Sequence, residues 1–89
     1  MGHHDPERQK NIRRTILDKL ERAEPYALPE PSLQVETNAQ LRPPMAQAEF
    51  DDALLYLQSH GFIANMPDDF DQDLNKWLIT EAGKTLLRK

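Results

Sequence analysis

Residues 46–80 read AQAEFDDALLYLQSHGFIANMPDDFDQDLNKWLIT, and the fold turns on their punctuation. Phe50, Ala53, Leu54 and Leu57 recur at helical spacing and form the apolar stripe of an amphipathic helix over about 46–60. Gly61 follows where a helix end calls for a left-handed residue, and His60 before it suits the negative end of the helix dipole. The start of this helix is poorly capped. Glu49 fits the third position of a capping box, but Ala46 offers no hydroxyl. Residues 62–66 and 74–79 read as two strands, joined by a polar loop rich in aspartate. An isolated hairpin is marginal in water. This one gains a partner if Phe62, Ile63, Trp77 and Ile79 cover the apolar face of the preceding helix.

Working outward, Asp5-Pro6 marks a helix start. Asp5 can cap, and proline fits the first helical position because its missing N–H would be unpaired there. Ile12, Ile16, Leu17, Leu20 and Ala23 continue at helical spacing until Pro25 ends the run near Ala23. Pro25, Pro29 and Pro31 prevent that helix from continuing. A short second helix is expected from Pro31 or Ser32 to about Asn38, carrying Leu33 and Val35. Residues 39–42 then read as a short extended piece before Pro43-Pro44 force a turn. Downstream, Thr80 can cap a final short helix with Glu81 in its first turn and Lys84, Arg88 and Lys89 towards its end, while Gly83 weakens it. The expected core is Ile16, Leu20, Leu33, Phe50, Leu54, Leu57, Phe62, Trp77 and Ile79.

A chain of 89 residues makes one domain, expected over 6–89 with a disordered stretch at 1–5. It has no cysteine, so packing rather than disulfides must hold it. No apolar run reaches the ~18 residues of a membrane span, and the first residues lack the apolar stretch of a signal peptide. A cytoplasmic location is the expectation. The net charge of −4 is unevenly spread. Residues 5–22 hold six bases and four acids, residues 49–73 hold seven acids and neither Lys nor Arg, and residues 76–89 hold four bases and one acid.

Helix, short helix, long helix, hairpin and short helix is the order of a winged helix, an α+β fold that is mostly helical. Leu54-Leu55-Tyr56-Leu57 followed by Gly61-Phe62-Ile63, then Trp77-Leu78-Ile79-Thr80-Glu81-Ala82-Gly83, resembles the end of winged-helix regulators of the PadR and MarR type. The likeness covers about residues 46–87. It implies a DNA-binding fold whose third helix enters the major groove and whose hairpin wing lies along the backbone. Leu41-Arg42-Pro43-Pro44 departs from the tight turn those families place between their second and third helices.

Two functional readings follow. The outward side of the third helix carries Gln47, Glu49, Asp51, Asp52 and Tyr56, and the wing tip carries Asp68, Asp69, Asp71 and Asp73. Carboxylates oppose the phosphate neutralisation on which DNA affinity depends. The expectation is therefore a small non-enzymatic module acting through an unknown protein partner or self-association, with Gln47, Asp51, Asp52 and Tyr56 as candidate contacts. The alternative is a DNA-binding transcriptional regulator. In that case Arg8, Arg13, Arg14, Lys84, Arg88 and Lys89 are the candidate phosphate contacts. Arg8, Arg13 and Arg14 also admit a plainer role, paired locally with Asp18 and Glu21 on a solvated face.

No catalytic, cofactor or metal site is expected. Asp69-x-Asp71-x-Asp73 begins like a calcium loop, but the required Gly and Glu positions hold Leu74 and Thr80. His3 and His4 are adjacent rather than spaced as ligands. No histidine has an evident nucleophile to serve.

Overall fold

The computed structural model describes residues 5–89. The expectations placed on the first four residues, including the disordered start and the His3-His4 pair, lie outside the described residues.

Helix α1 (Pro6–Ala23) begins as its sequence predicts. The Asp5 carboxylate accepts hydrogen bonds from the backbone N–H groups of Glu7 and Arg8, and Pro6 occupies the first turn. Ile12, Ile16, Leu17 and Leu20 are buried along one face, and α1 packs against α2 (Glu30–Asn38), α3 (Gln47–Ser59) and α4 (Glu81–Leu87). Strands β2 (Ile63–Asn65) and β3 (Lys76–Ile79) form the hairpin. Ile63 pairs with Ile79 and Asn65 with Trp77. No described helix is long and apolar enough to cross a membrane. Element order and packing are those of an α+β winged helix.

Four local expectations are corrected. The proline-rich piece after α1 contains a strand, β1 (Leu28–Pro29), which pairs antiparallel with β3 through Leu28–Trp77 and Pro29–Lys76. The sheet therefore has three strands in the order β1-β3-β2. Proline is tolerated because β1 is an edge strand and gives up only one donor. α2 begins at Glu30, with Pro31 in its first turn, slightly earlier than predicted. Within α2, Val35 is exposed and Thr37 is buried instead, one full turn after Leu33.

Residues 39–42 are not extended. Gln40 and Leu41 donate backbone hydrogen bonds to Thr37 and Asn38, winding the end of α2 into a turn that buries Leu41. The strands themselves are shorter than the apolar runs that predicted them.

All nine expected core residues pack in or against the core, though Phe62 is only half-buried. Ile63 takes the interior place beside it. Ile12, Leu17, Leu41, Met45 and Ala53 complete the buried set. Trp77 is buried and donates from Nε1 to Glu30 Oε1 at 3.0 Å, tying the sheet to the start of α2. Thr80 caps α4 by accepting from the Gly83 N–H at 3.1 Å. Gly83 has a packing reason to be glycine. A Cβ there would meet the Phe62 carbonyl oxygen and stand 2.7 Å from Ile79 Cγ1.

Candidate nucleic-acid interface

α3 is set by its buried face, where Phe50, Ala53, Leu54 and Leu57 enter the core. Its amino end is then fixed by a clasp the sequence did not reveal. Arg8 Nε donates to Glu49 Oε2 at 2.7 Å and Arg8 Nη2 to Glu49 Oε1 at 3.1 Å, a two-pronged pair. The same Nη2 reaches the carbonyls of Pro43 and Pro44 at 3.0 and 3.3 Å. Glu49 Oε1 also accepts the Ala46 N–H at 2.9 Å, half of a capping box. Hydrogen bonding to Arg8, and then to the Ala46 N–H, holds the Glu49 carboxyl below its ordinary pKa; the bond to Glu49 raises that of Arg8. On the other side of the turn, the Met45 N–H donates to Asn38 Oδ1 at 2.8 Å, and Met45 itself is buried. The long proline-rich connection is therefore pinned at several points.

The outward face of this end is polar. Gln34 of α2 donates to Gln47 Oε1 at 2.9 Å, and Gln47 Nε2 donates to Asp51 Oδ1 at 3.0 Å, a chain of amide and carboxylate across the two helices. Gln47, Asp51 and Leu55 lie at i, i+4 and i+8 on one exposed stripe, with Leu55 64% exposed. Asp52 is also exposed. Arg42, in the turn between α2 and α3, is exposed and among the described residues bonds only the Leu41 carbonyl, at 2.9 Å. It is a cation that reading by helix face overlooks. The signal was its place between α2 and α3.

The carboxyl end of α3 is built differently. Gly61 closes it at φ 76°. The Arg13 guanidinium sits 3.5 Å from the centre of the Tyr56 ring. Tyr56 stacks on His60 at 4.1 Å, and His60 on Phe62 at 6.0 Å. His60 Nδ1 is engaged with the Tyr56 carbonyl at 2.8 Å, so it faces no nucleophile. Beside this stack lies an open groove of about 340 Å³. Its apolar wall includes Leu17, Leu57, Leu86 and Leu87; Lys10, Arg13, Arg14 and Lys89 surround it.

The six cations named from the sequence thus part company. Arg8 is spent on the clasp. Lys84 bonds Glu24 at 2.8 Å and Glu81 at 3.2 Å, which raises its pKa, and Arg88 bonds Glu21 at 3.2 Å. Arg13, Arg14 and Lys89 gather at the groove. The expected local pairing of Arg8, Arg13 and Arg14 with Asp18 and Glu21 is not found. Asp18 pairs with Arg22 and Glu21 with Arg88. Of the four proposed partner contacts, Gln47, Asp51 and Asp52 stand at the amino end, whereas Tyr56 belongs to the groove. Among the described residues no three His, Asp or Glu side chains are placed to hold a metal ion.

The arrangement has close counterparts among solved structures. TA0346 of Thermoplasma acidophilum, assigned as a transcriptional regulator, superposes with a TM-score of 0.76 at 20% identity over 97% of this chain and 80% of its own. The adhesin competence repressor AdcR of Streptococcus pyogenes gives 0.70 at 22% identity, over 88% of this chain and 50% of its own. The PcaV transcriptional regulator of Streptomyces coelicolor, solved with its natural ligand, gives 0.69 at 17%, over 85% and 48%.

The fold is that of winged-helix transcriptional regulators. The MarR-type resemblance read from Gly61 and from residues 80–83 holds at that level. The chain spans about half the length of AdcR and PcaV. No protein-family model and no curated protein sequence matches it. These likenesses establish the fold, and the protein-interaction module expected from the sequence gains no support from them. The charge count behind the first choice also weighed Glu49 as a free outward acid, when Arg8 neutralises it.

Proposed function

We propose that this chain is the DNA-binding module of a transcriptional regulator, non-enzymatic, with the amino half of α3 in the major groove. The observation that carries the reading is the pinned presentation of that half-helix. Its buried face and the Arg8–Glu49 clasp fix it, while Gln47 and Asp51, with Leu55 one turn further on, remain on an exposed stripe.

The residue types on that stripe define what can be read. Glutamine pairs with the N6 and N7 edge of adenine, and a carboxylate accepts from the N4 amino group of cytosine. An exposed Leu55 suits the methyl group of thymine. No arginine or lysine is present on α3 to take guanine, so the reading implies A- and C-directed contacts. Arg42 is the cation best placed to fix a phosphate beside the helix. With so few phosphate contacts, affinity for a single module is low and falls gently with salt, by a slope of about 0.9 per neutralised phosphate.

The test is selection of bound sites from a randomised duplex pool at low salt, repeated with Gln47→Ala. The expected result is an enriched motif in which one adenine position relaxes in the variant. Losing that contact corresponds to about 1–3 kcal/mol of discrimination. No enrichment, or an enriched motif unchanged by both Gln47→Ala and Asp51→Ala, overturns the reading.

A further inference from the structure

The wing and the groove are both unused by a DNA contact at the amino end of α3. They complement each other. Phe70 is fully exposed at the wing tip. A large apolar ring on a loop tip contributes nothing to the core, yet the loop holds it in place. Asp68 Oδ1 accepts the backbone N–H groups of Phe70 at 2.7 Å and Asp71 at 3.1 Å, and its other oxygen meets Lys76 Nζ at 3.3 Å. Asp71 Oδ1 accepts the Asp73 N–H at 3.1 Å. Phe70 is thereby displayed between Asp69, Asp71 and Asp73, whose carboxylates meet no cation among the described residues.

The groove offers the reverse. Its leucine wall matches a ring, and Arg14 and Lys89 at its edge have no acidic partner among the described residues. The Arg13 Nε is buried without a hydrogen-bond acceptor.

A copy cannot fill its own groove. Leu57, in the groove wall, accepts the Phe62 N–H at 2.9 Å, so the groove lies at the base of the hairpin. The ladder runs away from that base through Ile63–Ile79, then Met66 to Lys76 and Asp68 to Leu74. Phe70 lies seven positions along the chain from Ile63, at most roughly 23 Å at strand rise. The tip therefore points away from the groove of its own copy.

We propose that the groove receives the wing tip of a second copy of this chain, with Phe70 against the leucine wall and the flanking aspartates against Arg13, Arg14 and Lys89. The contact joins unlike surfaces. It closes as a pair only if two copies exchange wings about a two-fold axis, and otherwise propagates. A patch this small makes a weak association whose aromatic anchor dominates. The loop's internal hydrogen bonds lower the ordering cost of docking. Acid on the wing, an obstacle to backbone contact with DNA, then has a positive role.

The experiment is sedimentation velocity from low micromolar to near-millimolar chain, at low and high salt. Wild type is expected to self-associate, less so in high salt. Phe70→Ala should weaken association by about tenfold or more, as a lost aromatic anchor does. Arg14→Glu and the double change Asp69→Lys with Asp73→Lys should each be monomeric alone. Mixed with each other, they should associate again, because the native wing of the first meets the native groove of the second, and the exchanged charges meet in the reverse contact. All these positions are on the surface, so melting temperatures should stay close to wild type. A wild type that remains monomeric throughout overturns the proposal. So does association that survives Phe70→Ala, or a mixture of the charge variants that does not recover. Duplex binding by Phe70→Ala should match wild type at monomeric concentrations, which separates failure here from failure of the DNA reading.

Discussion

At the amino end of α3 charge is answered from within the chain, whereas at the carboxyl end it is left over. Arg8 and Glu49 neutralise each other and hold the proline-rich turn, and Gln34, Gln47 and Asp51 share hydrogen bonds along the surface. At the other end Arg13 rests on Tyr56 with an unpaired Nε, and Arg14 stands exposed at the groove. One end of the helix thus presents the exposed carboxylates of Asp51 and Asp52 beside an internally paired clasp, and the other faces the cations of α1 across a groove with apolar walls. Net charge over a sequence window hides this. The seven acids of residues 49–73 include Glu49 and Asp68, both tied to cations from other elements.

The largest way to break the comparison is to release α3 from the core, because both ends then fail together. Phe50 is fully buried. Phe50→Ala should cost about 3–5 kcal/mol in chemical denaturation, a large part of the stability of so small a domain. Next comes a change confined to the carboxyl side. Gly83→Ala would ordinarily gain helix propensity of up to about 1 kcal/mol. Here the new methyl meets a backbone carbonyl and Ile79, so a net loss of about 1–3 kcal/mol is expected as α4 shifts. That shift should disturb the groove through Leu86 and Leu87 and leave the turn at 39–46 unchanged in amide exchange.

The converse change is Arg8→Ala. It removes the clasp and the contacts to Pro43 and Pro44, but the pair is partly solvated, so screening limits the loss to about 1 kcal/mol. Protection of amides in the turn should fall while the groove keeps its own.

A smaller effect sharpens the same point through pH. Glu49 is held below its unfolded pKa by Arg8. Its contribution is present above the ordinary carboxylate value and is lost as pH falls through the lowered folded value. As pH falls from the ordinary carboxylate range through that lowered value, stability of Glu49→Gln should therefore decline less steeply than that of wild type in urea midpoints. An unchanged slope would show that the clasp carries no linked charge.

Much of the fold was legible because packing writes itself at fixed periods. The stripes of α1 and α3, Gly61 at the helix end and Thr80 at the α4 cap all stand where their local chemistry placed them. β1 was not legible, since a two-residue strand has no period and proline argues against it; only the partner β3 reveals it. The proposed site was legible in part. Gln47 and Asp51 follow from helix geometry, but the clasp joins residues 41 positions apart, and no local pattern encodes such a pair. Tyr56, next in the chain to Leu55, sits about 100° further round the helix, on the side that Arg13 covers.

The most direct test of two ends with two uses is a chemical-shift map of the amides under two titrations, one with duplex DNA carrying a selected site and one by concentrating the protein alone. DNA should move Gln47, Asp51, Leu55 and Arg42, while self-association should move Phe70, Arg14, Leu17 and Leu87. If DNA instead moves Arg13, Arg14 and Lys89 and leaves Gln47 and Asp51 still, the groove is the nucleic-acid site and the assignment of the two ends is contradicted.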